Sequence, residues 1–313
     1  MTPLSRLTAR FAAALAPATV ASAAAPASPL HFADDGTVDL DVTWHAGWPS
    51  AKHDPAPEIQ SHHLDEHTIV MRQNMSVNYE APFMFLFFGA TSAVLIDTGA
   101  TAEPEYFPLR RIVDEHIAAW LAKHPRDDYR LTVVHTHGHG DHRSGDEQFA
   151  GRELTTIVGA ALPEVAEFYG FEDWPATPRE LDLGGGRIID VIPSPGHHAS
   201  AVTFYDRCTR LLLTGDSLYP GRLYVDDWAA FQATFDRLAA WSETHEISHV
   251  LGCHVEMSIA PGQDYPIGWN YQPDEAALPM TAEHILAVQR ALREIDGKPG
   301  RHSFDEFHIW YQA

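Results

Sequence analysis

The stretch 131–145, LTVVHTHGHGDHRSG, decides how this chain is read. Leu131, Thr132, Val133 and Val134 are apolar or β-branched and predict a short buried strand. The strand runs into a polar loop with four histidines (His135, His137, His139, His142) and Asp141 within eight residues. Gly138 and Gly140 take side-chain bulk out of that loop, so the backbone can fold tightly and several ligands can converge. Imidazole nitrogen and carboxylate oxygen together suit zinc and similar first-row metals.

Downstream, three further loops repeat the arrangement of a polar residue placed just after an apolar strand or a rigid turn. His197 lies in the Pro-Gly loop 193–200, PSPGHHAS. Asp216 follows the run Leu211-Leu212-Leu213, and His254 follows the strand expected over 247–251. Upstream, 83–88 and 92–96 read as a hairpin turning at Gly89-Ala90, and the second strand ends at Asp97-Thr98-Gly99. Helices are expected over 112–121, 163–169, 226–244 and 280–295, and a terminal strand over 307–311. In the first helix Ile112, His116, Ala119 and Trp120 fall near one face. In the third, Trp228, Phe231, Phe235, Leu238 and Trp241 recur at steps of three and four, the mark of a core-facing stripe.

The whole chain has 313 residues, 45% of them hydrophobic, enough for a large core. Its formal net charge of −22 argues against nucleic acid or an anionic membrane as partner. No stretch is apolar for the ~18 residues that a membrane span requires. Arg6 and Arg10 precede an uncharged, alanine-rich run, so residues 1–25 read as a signal or leader segment. Export to the periplasm or outside the cell follows from that reading, with a cytoplasmic location as the alternative. Residues 26–66 are rich in Pro, His, Asp and Ala and read as an irregular arm, with one strand near 38–42. Residues 67–313 read as one domain. Cys208 and Cys253 are too few for a disulfide framework.

The set His137-x-His139-x-Asp141-His142, His197 in Ser-Pro-Gly-His, Asp216 in Thr-Gly-Asp-Ser, and His254 resembles the metallo-β-lactamase superfamily. Leu95-Ile96-Asp97-Thr98-Gly99 resembles that superfamily's early strand motif, and the resemblance covers roughly residues 67–256. It implies an α/β fold, a four-layer αββα sandwich with the metals at one edge. It also implies two metal sites: His137, His139 and His197 for the first, Asp141, His142 and His254 for the second, with Asp216 bridging. The ligand pattern is closer to the glyoxalase-II-type branch than to the zinc β-lactamases with a cysteine ligand. The implied cofactor is a pair of Zn²⁺ ions, with iron or manganese as possible occupants. Asp97 is expected beneath the site as a hydrogen-bond acceptor, His135 at the strand end without metal, and the Cys253 thiol facing the core. His198 stands where the family commonly carries a small hydroxyl residue.

The activity implied is hydrolysis of an ester, thioester or lactone-like acyl bond of a small molecule by a metal-bound hydroxide, with Asp141 also moving a proton. The alternatives are β-lactam hydrolysis on the same fold, or sulfur oxidation at a single iron held by His137, His139 and His197. A glutathione thioesterase would need a dense basic region. Arg222, Lys298 and Arg301 are scattered, while Tyr219, Arg222 and Tyr224 fall where they can line a pocket. The sequence leaves the oligomeric state open.

Overall fold

The computed structural model describes Leu30, Phe32 and residues 36–312, so the expected leader and the start of the arm lie outside the described residues. In chain order the strands are β1 (Ile59–Asp65), β2 (Thr68–Gln73), β3 (Phe83–Phe88), β4 (Ser92–Ile96), β5 (Arg130–Val134), β6 (Thr155–Ile157), β7 (Arg179–Asp182), β8 (Ile188–Pro193), β9 (Val202–Asp206), β10 (Leu211–Gly215), β11 (Arg222–Val225), β12 (His249–Gly252), β13 (Gly300–Ser303) and β14 (His308–Tyr311). The helices are α1 (Leu109–Lys123), α2 (Gly140–Arg143), α3 (Leu162–Tyr169), α4 (Trp228–Thr244) and α5 (Ala282–Ile295).

Two main sheets form, one in the order β1-β2-β3-β4-β5-β6 and one in the order β12-β10-β9-β8-β7. Side-chain alternation along β3 shows how they stack. Phe83, Phe85 and Phe87 join a core shared with Ile189, Val191, Phe204, Leu211 and Leu213 of the second sheet. Met84, Leu86 and Phe88 point the other way, onto Leu109, Val113, Ile117 and Trp120 of α1. Ile192, Tyr205, Leu212 and Val250 leave the far face of the second sheet to meet α4 and α5. The result is the expected helix–sheet–sheet–helix layering. A small third sheet, β11-β14-β13, packs with α4 and α5.

Three expectations are corrected. Residues 36–46 form no strand, whereas Ile59–Asp65, read as irregular arm, is the edge strand of the first sheet, paired antiparallel with β2. Its polar alternation, Gln60, Ser61, His62 and His63, is that of a half-exposed edge strand. The buried face of α1 is Leu109, Val113, Ile117 and Trp120, while Ala119 is exposed and Ile112 and His116 only half-buried. The helix starts earlier than expected, and its stripe shifts with it. In α4, Phe231, Phe235 and Leu238 are buried as expected, and Asp227 caps the helix by accepting from Ala230 N at 3.0 Å.

Strand direction places the functional loops. β4 and β5 are parallel neighbours, as are β10 and β12. β8 and β10 both run antiparallel to β9 and therefore parallel to each other. The loops carrying Asp97, His137–His142, His197, Asp216 and His254 thus all leave C-terminal strand ends at one edge of the sandwich. Backbone hydrogen bonds from Phe83 N to Cys253 O and from Val202 N to Thr136 O, both 2.8 Å, tie the two sheets together there.

Candidate metal centre

Seven side chains converge at this edge in two groups. In the first, His137 Nε2 lies 2.9 Å from His139 Nδ1, and His197 Nε2 lies 3.2 and 3.1 Å from those two atoms. Ligands of a tetrahedral zinc with ~2.05 Å bonds would stand about 3.3 Å apart. In the second, Asp141 Oδ2 lies 3.3 Å from both His142 Nε2 and His254 Nε2, which are 3.4 Å from each other. Asp216 lies between. Its Oδ1 is 3.5 Å from His142 Nε2 and from His254 Nε2. Its Oδ2 is 3.6 Å from His197 Nε2 and 3.9 Å from His137 Nε2.

Hydrogen bonding on the outer side of the rings fixes which nitrogen carries the proton. His197 Nδ1 donates to Tyr224 O at 2.9 Å and His254 Nδ1 to Glu80 O at 2.8 Å, since a carbonyl can only accept. His142 Nδ1 donates to Asp97 Oδ2 at 3.0 Å. Thr136 Oγ1 gives its proton to Asp97 Oδ2 (2.9 Å), so it accepts from His137 Nδ1 (3.1 Å). Each of these four imidazoles therefore holds its Nδ1 outward and turns its Nε2 inward. In the first group only His139 retains a proton to share among three close nitrogens. Asp216 Oδ1, fully buried, has no hydrogen-bond donor. Converging Nε2 atoms around an orphaned carboxylate oxygen fit a bound cation, which would take the place of protons there.

The electrostatics agree. Burial opposes charge on His254, but Asp216 and Asp141 outweigh it and push its pKa up to about 9. The same contest raises His142 well above the usual range, through Asp216 and Asp97. Burial would raise Asp216; His254 and His142 overcome it and hold the carboxyl far below the usual range. Asp141 is depressed likewise, against burial, by hydrogen bonds from His142 and His254. The second group is thus a pocket that stabilises positive charge. His137 goes the other way, its pKa lowered chiefly by burial and by His142.

The supports are as informative as the ring of ligands. Asp97, buried at the end of β4 with a left-handed φ of 65°, accepts from Thr136 N (2.8 Å), Thr136 Oγ1, His142 Nδ1 and Cys253 Sγ (3.2 Å). Its expected place beneath the site is where it lies. Cys253 faces inward as expected, and its contact with Asp97 adds a role the sequence did not show. His135 points away, to Asp146 Oδ1 at 2.8 Å. The His198 ring packs on the His139 ring at 4.9 Å, and a side chain at Gly138 would meet it at 2.9 Å. Gly140 has open space around it, so only Gly138 meets the steric reading of the loop glycines. Gly196 (φ 138°) lets the His197 loop press against α4, where a Cβ would stand 2.4 Å from Phe231 Cα. Arm histidines 45, 53, 62, 63 and 67 join none of the ligand groups among the described residues.

Of the residues expected to line a pocket, Tyr224 and Arg222 border a cavity beside the centre, whereas Tyr219 is buried with its hydroxyl on Arg222 O. Tyr224 O and Glu80 O, which orient two ligands, escaped sequence reading because any residue supplies a carbonyl. Thr136, between the strand and the first ligand, was a signal that could have been used.

Residues 80–280 match the family profile described as "Metallo-beta-lactamase superfamily", which is more than half of the chain and includes all seven converging residues. The chain belongs to this superfamily. Curated relatives named hydroxyacylglutathione hydrolase include one from Ectopseudomonas mendocina, 30% identical over 40% of this chain and 48% of the relative. Another, from Methylococcus capsulatus, is 28% identical over 50% of this chain and 59% of the relative. The chain thus spans about half the length of the curated relatives it matches. Among solved structures, TMB-1 superposes with a TM-score of 0.50 at 13% identity, over 77% of this chain and 100% of that one, a likeness of fold. No described helix is long and apolar enough to cross a membrane.

Proposed function

We propose that this protein is a binuclear, metal-dependent hydrolase of ester, thioester or lactone-like acyl bonds. The observation that carries the proposal is the set of four imidazoles, locked with Nε2 inward, around the two-faced carboxylate of Asp216. His137, His139 and His197 would hold one ion and Asp141, His142 and His254 a second, with one oxygen of Asp216 turned to each group. A pair of zinc ions there would supply Lewis acidity to the acyl carbonyl and acidify a water at neutral pH. Neutral imidazoles keep most of the ions' charge available to a developing oxyanion. Asp216, at 8% side-chain exposure, is held in place by burial and would be shared by the two ions. Asp141, at 23%, is the carboxylate with access to solvent, which supports a role in moving a proton.

The hydroxyacylglutathione hydrolase name of the curated relatives supports an acyl thioester among the substrates. Iron-dependent sulfur oxidation would use the first group alone. The second group is complete and equally well oriented, which favours two ions and hydrolysis. The test is Asp216→Asn, which keeps size and loses charge. Metal content should fall, mainly at one site, and turnover should drop at least ~100-fold. A fully active variant retaining both metals would overturn the bridging role.

A further inference from the structure

β1 ends the first main sheet and β12 ends the second. Leu64 of β1, Val70 of β2 and Leu251 of β12 belong to the core between the sheets, so this side of the sandwich needs a cover to keep them from water. Two irregular segments provide it. Leu40 and Trp44 of the arm, and Ala276 and Leu278 ahead of α5, pack on that core. The cover is incomplete. A cavity of about 380 Å³ remains beneath it, with Leu64, Val70, Leu251 and Leu278, all 3% exposed or less, as its floor. Val42 and Trp44 wall it on the arm side, and Ile259 and Ala277, both exposed, stand at its mouth. None of the seven converging residues lines it, so the cavity is separate from the metal centre.

Its volume falls within the ~300–1,000 Å³ of ligand pockets. An apolar cavity of about 150 Å³ takes a benzene ring, so this one has room for roughly 10–15 non-hydrogen atoms. The charge in the lining is neutralised internally. Both carboxylate oxygens of Glu275 are paired with the buried Arg72, Oε2 with Nη2 at 2.9 Å and Oε1 with Nη1. An ionised ligand would shed its hydration here and meet no free counter-charge.

Gln272 is the exception in the lining. Its backbone N donates to Ala46 O at 2.7 Å, which ties it to the arm. The residue is 6% exposed, and its Oε1 is buried with no donor. A buried acceptor left unpaired is destabilising, and a ligand that brings one hydroxyl to it removes that penalty.

We propose that this cavity binds an uncharged, mainly apolar molecule of roughly 10–15 non-hydrogen atoms that carries one hydroxyl. Leu64, Val70, Leu251 and Trp44 take its body and Gln272 Oε1 takes its hydroxyl. The probes are 2-naphthol and naphthalene, which differ by that hydroxyl, and binding to the full-length protein is measured by equilibrium dialysis. Wild type should bind one 2-naphthol per chain, about tenfold more tightly than naphthalene. Gln272→Leu should bind the two with equal affinity. Ala276→Phe and Val42→Phe, which fill the cavity from its two covering segments, should each weaken 2-naphthol binding by about tenfold or more. A cooperative urea transition shows that these variants fold. A chelator should leave 2-naphthol binding unchanged, whereas a phenol held at the metal centre would be released. No binding by wild type, binding that survives both phenylalanine variants, or binding lost to the chelator overturns the site. A preference for 2-naphthol that persists in Gln272→Leu overturns the hydroxyl contact. Should both phenylalanine variants fail to fold, the affinity ratio in Gln272→Leu decides alone.

Discussion

Asp97→Asn replaces a residue outside the seven converging side chains and should nevertheless weaken one metal site selectively. Asp97 Oδ1 takes one donor and Oδ2 takes three, from Thr136 Oγ1, His142 Nδ1 and Cys253 Sγ. An asparagine can turn its oxygen to the three, setting its amide against Thr136 N–H, or the reverse. The better choice leaves at least one buried donor unpaired, about 1–3 kcal/mol, and turns three charge-assisted bonds into neutral ones at roughly 1 kcal/mol each. The metal-free fold should lose about 4–6 kcal/mol in urea unfolding. His142 also loses the carboxylate that fixes its tautomer, so the second site should bind zinc roughly 10- to 100-fold more weakly, about 1.4–2.8 kcal/mol. The first site, reached only through Thr136, should weaken far less. Competition against a chelator resolves the two binding steps. Equal losses at both sites, or an unchanged second step, would refute the idea that Asp97 acts by orienting His142.

Other consequences follow from the same geometry. Arg187, fully buried, donates to Asp206, His67 O, Phe88 O and Thr68 Oγ1, joining the two sheets. Arg187→Met strands the Asp206 carboxylate and should cost about 3–5 kcal/mol in denaturant unfolding, with the loss largely recovered by adding Asp206→Leu. His139→Ala should remove metal and activity, while His135→Ala, which breaks only the Asp146 contact, should keep full metal stoichiometry by elemental analysis. Metal-free protein should lose stability with rising pH. His254 has its pKa raised from 6.5 to about 9 by folding, so its contribution is complete below pH 6.5 and is lost as pH climbs through 9. The loss is at most about 3 kcal/mol, His142 adds to it with the same sign, and His254→Ala should flatten the curve.

The seven converging residues were legible because each follows a strand or turn whose identity is local. A β-branched run, a Pro-Gly loop and a leucine run each announce where the chain stops and a polar side chain begins. The alternation of strands and helices showed an interleaved α/β chain, and the layered sandwich was what the resemblance carried by those residues implied. The α1 stripe was misplaced because a run containing isoleucine, alanine and tryptophan reads as apolar on more than one face, and only packing against Met84, Leu86 and Phe88 chose between them. β1 was missed because an edge strand keeps half of its side chains in water and so looks like loop.

Tertiary structure alone decided how the converging side chains are held. Asp97 reaches His142 across 45 positions and Cys253 across 156, and two of the oriented imidazoles rest on backbone carbonyls. A carbonyl carries no trace of its residue type, and a hydrogen bond between distant loops exists only once two sheets have brought their strand ends to one edge. The residues that converge are therefore written in the chain, while the hydrogen bonds that keep four of those imidazoles turned inward are assigned by the fold.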